Sequence, residues 1–150
     1  EELAGIVGTD GWEFTAKSVK QDLYSVERAR QVLHLNLDKP LFLSVGFVSP
    51  HIPLAAPKRF MEPFLSEECL GRIVLPPDFF SRPNLTNASA AMRKRPLTQP
   101  IGNRECSSEE ARRVCGAYLG SVSFLDHLVG ELLFELEALG RADNTIVLFM

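Results

Sequence analysis

Hydrophobic residues in this chain fall into helical stripes, short continuous runs and one long stretch without a period. From about residue 17 to 36 the spacing is helical, with Val19, Leu23, Val26, Leu33 and Leu37 near one face. Ser18 with Gln21 makes a capping box for its start, and Thr15 is a rival start. Leu-Asp-Lys-Pro ends this helix, because the residue before a proline avoids helical backbone angles. Leu41 to Val48 then forms a short, nearly continuous apolar run, the pattern of a strand buried on both faces of a parallel sheet. Residues 49–106 are irregular and proline-rich, apart from a short helix over Pro57–Leu65 with the proline suited to its first turn.

The strongest periodicity begins at Ser107, which forms a capping box with Glu110. Val114, Tyr118, Val122, Leu125, Val129, Leu132, Leu136 and Leu139 follow at steps of three or four, the spacing of one apolar helix face. Gly140 stands where a C-terminal cap belongs. Arg-Ala-Asp-Asn turns the chain, and Thr145 to Met150 reads as a second buried strand. A strand–helix–strand order implies parallel strands and an α/β sheet. In open α/β sheets ligands bind beyond the carboxyl ends of the strands. His51 lies just past the carboxyl end of the first predicted strand, between Pro50 and Pro53.

Composition narrows the class. A chain of 150 residues with 45% hydrophobic and 23% charged residues is globular rather than disordered. A formal charge of -3 argues against nucleic acid as the main partner, which would call for a basic face. No apolar run reaches the roughly 20 residues of a membrane span. Cys69, Cys106 and Cys115 form no CxxC pair and keep no histidine cluster, which disfavours zinc. Their odd number rules out a complete internal disulfide set. One pair with a free thiol, or three thiols, both remain open. The chain begins with Glu1 rather than Met and stops inside the apolar run Asn144–Met150. The expectation is therefore an internal fragment of one domain, truncated at both ends.

Among residues that could carry chemistry, His51 stands first. The flanking prolines fix φ and remove backbone donors, so the loop is stiff and can hold an imidazole at one angle. An imidazole there can donate to an anionic oxygen or move a proton. The competing reading is a histidine that hydrogen-bonds its own loop. His34 and His127 read as structural or solvated, and Asp126, beside Ser123 on one helix side, as a capping or pairing carboxylate. Lys58 and Arg59 could greet an anionic substrate, and the basic run Met92–Pro96 reads as a solvated loop. Asn84 and Asn87 head two glycosylation sequons, Asn-Leu-Thr and Asn-Ala-Ser, within the long loop. There is no P-loop, no GxGxxG and no GxSxG elbow.

Two stretches carry a family resemblance. "KPLFLSVGFVSPHIPLAAPKRF" resembles a Lys-Pro-Phe-Phe-Leu…Pro-His segment of type I sulfatases, most closely their iduronate-2-sulfatase-like branch. "YLGSVSFLDHLVGELLFELEALGRADNTIVLFM" resembles a later segment of the same family, in the same order. The residues that carry the second match are Ser121, Val122, Ser123, Asp126, Gly130, Asn144 and Thr145.

The resemblance implies an alkaline-phosphatase-like α/β sandwich with a mostly parallel central sheet. The implied activity is hydrolysis of sulfate esters, of a sulfated sugar or glycosaminoglycan. It implies a formylglycine made from Cys or Ser, a calcium ion, and a lysosomal, secreted or periplasmic compartment. By position, His51 matches the family histidine that contacts the sulfate. Tyr118 and Asp126 match architectural positions of the family's long helix. None of the cysteines has the proline two residues later that a formylglycine precursor motif needs. The family's first metal-binding aspartates would precede residue 1, and its Asp-His pair would follow Met150, so no metal ligand or nucleophile is assigned here. The branch often has His-Lys where this chain has Val48 and Ser49, which removes a fixed cation near the substrate. The 150 residues alone are expected to be inactive. A phosphonate or phosphodiester hydrolase of the same fold, or a noncatalytic protein binding sulfated glycans, remain the alternatives.

Overall fold

The computed structural model describes residues 2–6, 11–35, 39–77 and 107–150. Along the chain run strand β1 (Leu3–Ile6), helix α1 (Gly11–Leu33), strand β2 (Leu54–Pro57), helix α2 (Lys58–Leu65), helix α3 (Glu67–Arg72) and helix α4 (Ser108–Ala138). A short 3-10 turn at Ala142–Asn144 follows. β1 and β2 pair antiparallel, Leu3 against Pro57 and Ile6 against Leu54, and the Lys58 amide extends the pairing by donating to the Glu2 carbonyl at 2.8 Å.

α4 is the spine, and its start is as the sequence predicts. Ser107 Oγ accepts from the Glu110 amide at 3.2 Å, and the Glu110 carboxylate accepts from the Ser107 amide at 2.9 Å. Both donors belong to the first turn, which has no intrahelical acceptor for them. At the far end Gly140 takes φ +65°, a left-handed angle that costs glycine little, and the chain leaves the helix there.

The buried face of α4 differs from the predicted stripe. Ala111, Gly116, Ala117, Gly120, Ser121, Phe124 and Leu128 are buried, whereas Tyr118 and Val122 are exposed. The cause is the approach of α2. A Cβ on Gly120 would lie 3.1 Å from Met61 Cα and 3.2 Å from the Phe60 carbonyl oxygen, and one on Gly116 would meet the Phe64 carbonyl. Small residues let the two backbones close, and Met61, Phe124 and Leu128 then fill the interior with Ala56 of β2 and Val19 and Val26 of α1. Phe60 packs tilted on Phe124 and on His127, with ring centroids 5.4 and 5.0 Å apart. His127 also lies 3.2 Å from Glu131, a structural placement in accord with the sequence reading.

α1 begins six residues earlier than expected, at Gly11, so Ser18 lies inside the helix and not at its cap. Leu37 lies outside the described residues. Val19, Asp22, Val26, Ala29 and Leu33 form its buried face, at steps of three and four, while Leu23 is exposed. α1 joins α4 through Glu135, whose carboxylate lies 2.8 Å from Arg30 Nε and 2.6 Å from His34 Nε2. Arg141, just past α4, donates to the Leu33 and Leu35 carbonyls and closes the end of α1.

Two predicted strands are not formed among the described residues. Neither Leu41–Val48 nor Thr145–Met150 forms a strand, and the one sheet among the described residues is antiparallel. An apolar run becomes a strand only when a neighbour supplies the ladder, and no described segment does so for either. Phe42 is 92% exposed, and Ile146, Leu148 and Phe149 are exposed as well. The Pro57–Leu65 helix is present, with Pro57 at its N-cap. α3, capped by Ser66 Oγ accepting from the Cys69 amide, lies in the stretch expected to be irregular, because its six residues carry no period.

Gly120→Ala should cost about 1–3 kcal/mol by overpacking the α2–α4 contact. Urea unfolding of the protein checks this, and a substitution that leaves the midpoint unchanged would contradict the close approach.

Glu135 supplies a pH test. Its hydrogen bond with His34 lowers its carboxyl pKa, burial opposes the shift, and the Arg30 charge adds to the lowering. A lowered folded pKa stabilises above the unfolded value, about 4.3, and that gain is lost as pH falls through the folded value. Glu135→Gln should therefore destabilise at pH 7, with the gap to the parent closing below about pH 4. Paired unfolding curves at both pH values read this out, and a gap that stays constant would exclude it.

Candidate functional site

The site is built around Ser49-Pro50-His51-Ile52-Pro53, the loop that leads into β2. Both X-Pro bonds here are cis. The His51 amide donates to the Val48 carbonyl at 2.8 Å and closes a turn. The ring is exposed, with Nδ1 2.5 Å from the Ile52 carbonyl oxygen. A carbonyl only accepts, so Nδ1 carries the proton in this contact. Nε2 is then an acceptor in the neutral ring and a donor only when the ring is doubly protonated. The local hydrogen bond and an outward-facing nitrogen thus coexist.

A groove of about 650 Å³ opens beside the loop. One wall is Pro50, His51 and Ile52, and the other is Ile73 with Val114, Tyr118 and Leu119 of α4. Arg112 Nε donates to the Ile73 carbonyl at 3.2 Å and fixes the segment after α3 on α4. The lining is overwhelmingly apolar, so the groove can seat an organic group while His51 meets a polar or anionic one. Tyr118 is a wall of this groove as well as part of the helix.

Asp22 is the residue that sequence reasoning missed. It is fully buried on α1, 0% exposed. Its Oδ1 accepts from the Val48 amide at 2.6 Å, and its Oδ2 from the Ser49 amide at 3.0 Å and the Ser49 hydroxyl at 2.6 Å. The signal was present as a carboxylate at the helical step between Val19 and Val26. A charge inside an apolar stripe asks for buried donors.

Lys58 and Arg59 do not face an open site. Lys58 Nζ lies 3.2 Å from Glu2 and 3.6 Å from Glu62, and the hydrogen bond to Glu2, then the charges of Glu2 and Glu62, raise its pKa. Arg59 lies over the Phe60 ring, 4.7 Å from its centroid. Asp126 is exposed and lines no part of the groove. Asn84, Asn87, Cys106 and the basic run Met92–Pro96 lie outside the described residues.

Among the described residues no group of three or more His, Cys, Asp or Glu side chains could hold a metal ion. Cys69 and Cys115 are free thiols in partly buried positions, and neither precedes a proline by two residues. The described residues therefore do not fit a calcium site or a formylglycine. No helix among them is long and apolar enough to cross a membrane.

Comparison with known proteins adds the family. The model of the sulfatase family matches residues 19–150, nearly the whole chain and both sides of the groove. The chain belongs to the sulfatase family. The family's fold is of the alkaline-phosphatase-like α/β kind. Iduronate 2-sulfatase of Homo sapiens is 34% identical over 140 residues, 85% of this chain and 24% of that protein. An arylsulfatase of Clostridium perfringens is 30% identical over 112 residues, covering 75% of this chain and 21% of its own length. A choline-sulfatase of Rhizobium meliloti is 32% identical over 111 residues, 74% and 20% respectively. The chain thus spans about a fifth to a quarter of the length of these curated relatives. No solved structure gives a significant match.

Asp22→Ala should destabilise the protein by about 1–3 kcal/mol for each buried loop donor left unpaired. Thermal unfolding tests this, and a change within the noise of a surface substitution would mean that the carboxylate holds nothing.

Proposed function

We propose that this chain is a segment of the catalytic domain of a sulfuric ester hydrolase, and that His51 contacts the sulfate group of the substrate. The observation that carries the proposal is the sulfatase family match across residues 19–150, which includes the His51 loop and the helix facing it. On this reading Leu41–Val48 and Thr145–Met150 are strands of a mostly parallel central sheet, paired with chain beyond these 150 residues. Their exposed apolar side chains support that assignment. Calcium and formylglycine are supplied by residues outside this chain. The compartment is lysosomal, secreted or periplasmic, in keeping with the resemblance and with the sequons at Asn84 and Asn87.

The chemistry proposed for His51 is electrostatic. With Nδ1–H held by the Ile52 carbonyl, a doubly protonated ring donates from Nε2 to a sulfate oxygen. A fixed donor of this kind stabilises the charge that develops as the S–O bond breaks. The organic part of the ester lies on the apolar wall that includes Tyr118 and Leu119. The substrate proposed is a sulfated sugar or glycosaminoglycan, as for the iduronate-2-sulfatase-like branch. Val48 and Ser49 in place of His-Lys remove a cation, so the sugar need not be the same.

The full-length protein should hydrolyse at least one of an aryl sulfate, choline sulfate and a sulfated uronic-acid disaccharide. His51→Ala should lower kcat/KM on that ester by about 10²–10³-fold. The separate 150-residue chain should show no turnover. Hydrolysis of phosphodiesters or phosphonates instead, or glycan binding without turnover, would replace the sulfatase reading.

A further inference from the structure

We propose that Asp22 is the positioning residue for His51, acting through the turn that joins them, with Ser49 as its relay. This rests on the sulfatase reading of His51. The carboxylate of Asp22 is wholly buried, and a buried charge persists only where donors surround it. Among the described residues it accepts from the Val48 amide and from the amide and hydroxyl of Ser49. The buried charge of α1 is thus committed to the two residues that precede Pro50.

From Ser49 the chain has little freedom. Proline fixes φ at the next residue. The His51 amide then returns to the Val48 carbonyl at 2.8 Å, so Val48 to His51 is one hydrogen-bonded unit. The ring is fixed in turn by its Nδ1 contact to Ile52. The direction of Nε2 therefore follows from the backbone of Val48 and Ser49, and that backbone is held by Asp22.

Ser49 supports the same assignment. It stands where the resembling branch often has a lysine, yet its hydroxyl turns inward, 2.6 Å from the buried carboxylate. Ser49 therefore serves the positioning of the loop, and His51 is the loop side chain left to meet the substrate.

The test is a double-mutant cycle in the full-length enzyme, on whichever sulfate ester the parent hydrolyses. Asp22→Asn keeps the shape of the side chain but turns an amide NH2 toward loop donors. It should lower kcat/KM by about ten- to a hundredfold, the range for a displaced catalytic contact. Added to His51→Ala, it should cause no further loss, because it acts through His51. Ser49→Ala, which removes one donor and keeps the backbone, should show a smaller loss with the same non-additivity, and serves alone if Asp22→Asn does not fold. If either loss multiplies with that of His51→Ala, the positioning role is overturned while the sulfate contact stands. If His51→Ala is silent, or no sulfate ester is hydrolysed, the sulfate-contact reading falls and takes this role with it.

Discussion

The close contact between α2 and α4 is the constraint from which the site is built. Gly116 and Gly120 leave no Cβ between the helices, so the backbone at Phe60 and Phe64 lies against α4. β2 runs directly into α2, and the His51 loop runs directly into β2. Setting α2 on α4 therefore sets the downstream end of the loop. Asp22 sets the upstream end from α1, and α1 is tied to α4 through Glu135 with Arg30 and His34. The loop is held from two helices that share one partner. A histidine so placed keeps its angle over the groove while remaining exposed.

How far the sequence disclosed this depends on the range of the forces involved. Local rules worked: the Ser107–Glu110 capping box, the Gly140 exit and the short helix after Pro57 all depend on residues within one turn. Rules that need a partner worked less well. The strands expected at Leu41–Val48 and Thr145–Met150 have no ladder among the described residues, and the β1–β2 pair, of four residues each, offered no alternation to read. The apolar stripe of α4 was placed on its bulky residues, whereas glycine, alanine and serine decide which side admits a neighbouring helix. Burial of the neighbouring face is a property of α2, and α2 is far away in sequence.

The same distinction applies to the site. His51 stands out in the sequence because two prolines and a family motif mark it. Its local hydrogen bond, the competing reading, is present and leaves Nε2 outward, where the proposed sulfate contact would use the doubly protonated ring. Asp22 was not legible because its partners, Val48 and Ser49, are 26 and 27 residues away and two of its bonds go to backbone amides, which leave no mark on side-chain identity. Lys58 and Arg59 are the reverse case. Their charges attract notice in the sequence, but Glu2, Glu62 and the Phe60 ring already engage them.

The central claim is that this loop presents His51 to a sulfate group. The most direct measurement is a crystal structure of the full-length protein soaked with a sulfate ester or inorganic sulfate. The account predicts a sulfate oxygen within hydrogen-bond distance of His51 Nε2, Nδ1 still on the Ile52 carbonyl, and Asp22 still holding Val48 and Ser49. Sulfate bound in the catalytic centre with His51 turned away, or out of reach of any oxygen, would contradict it.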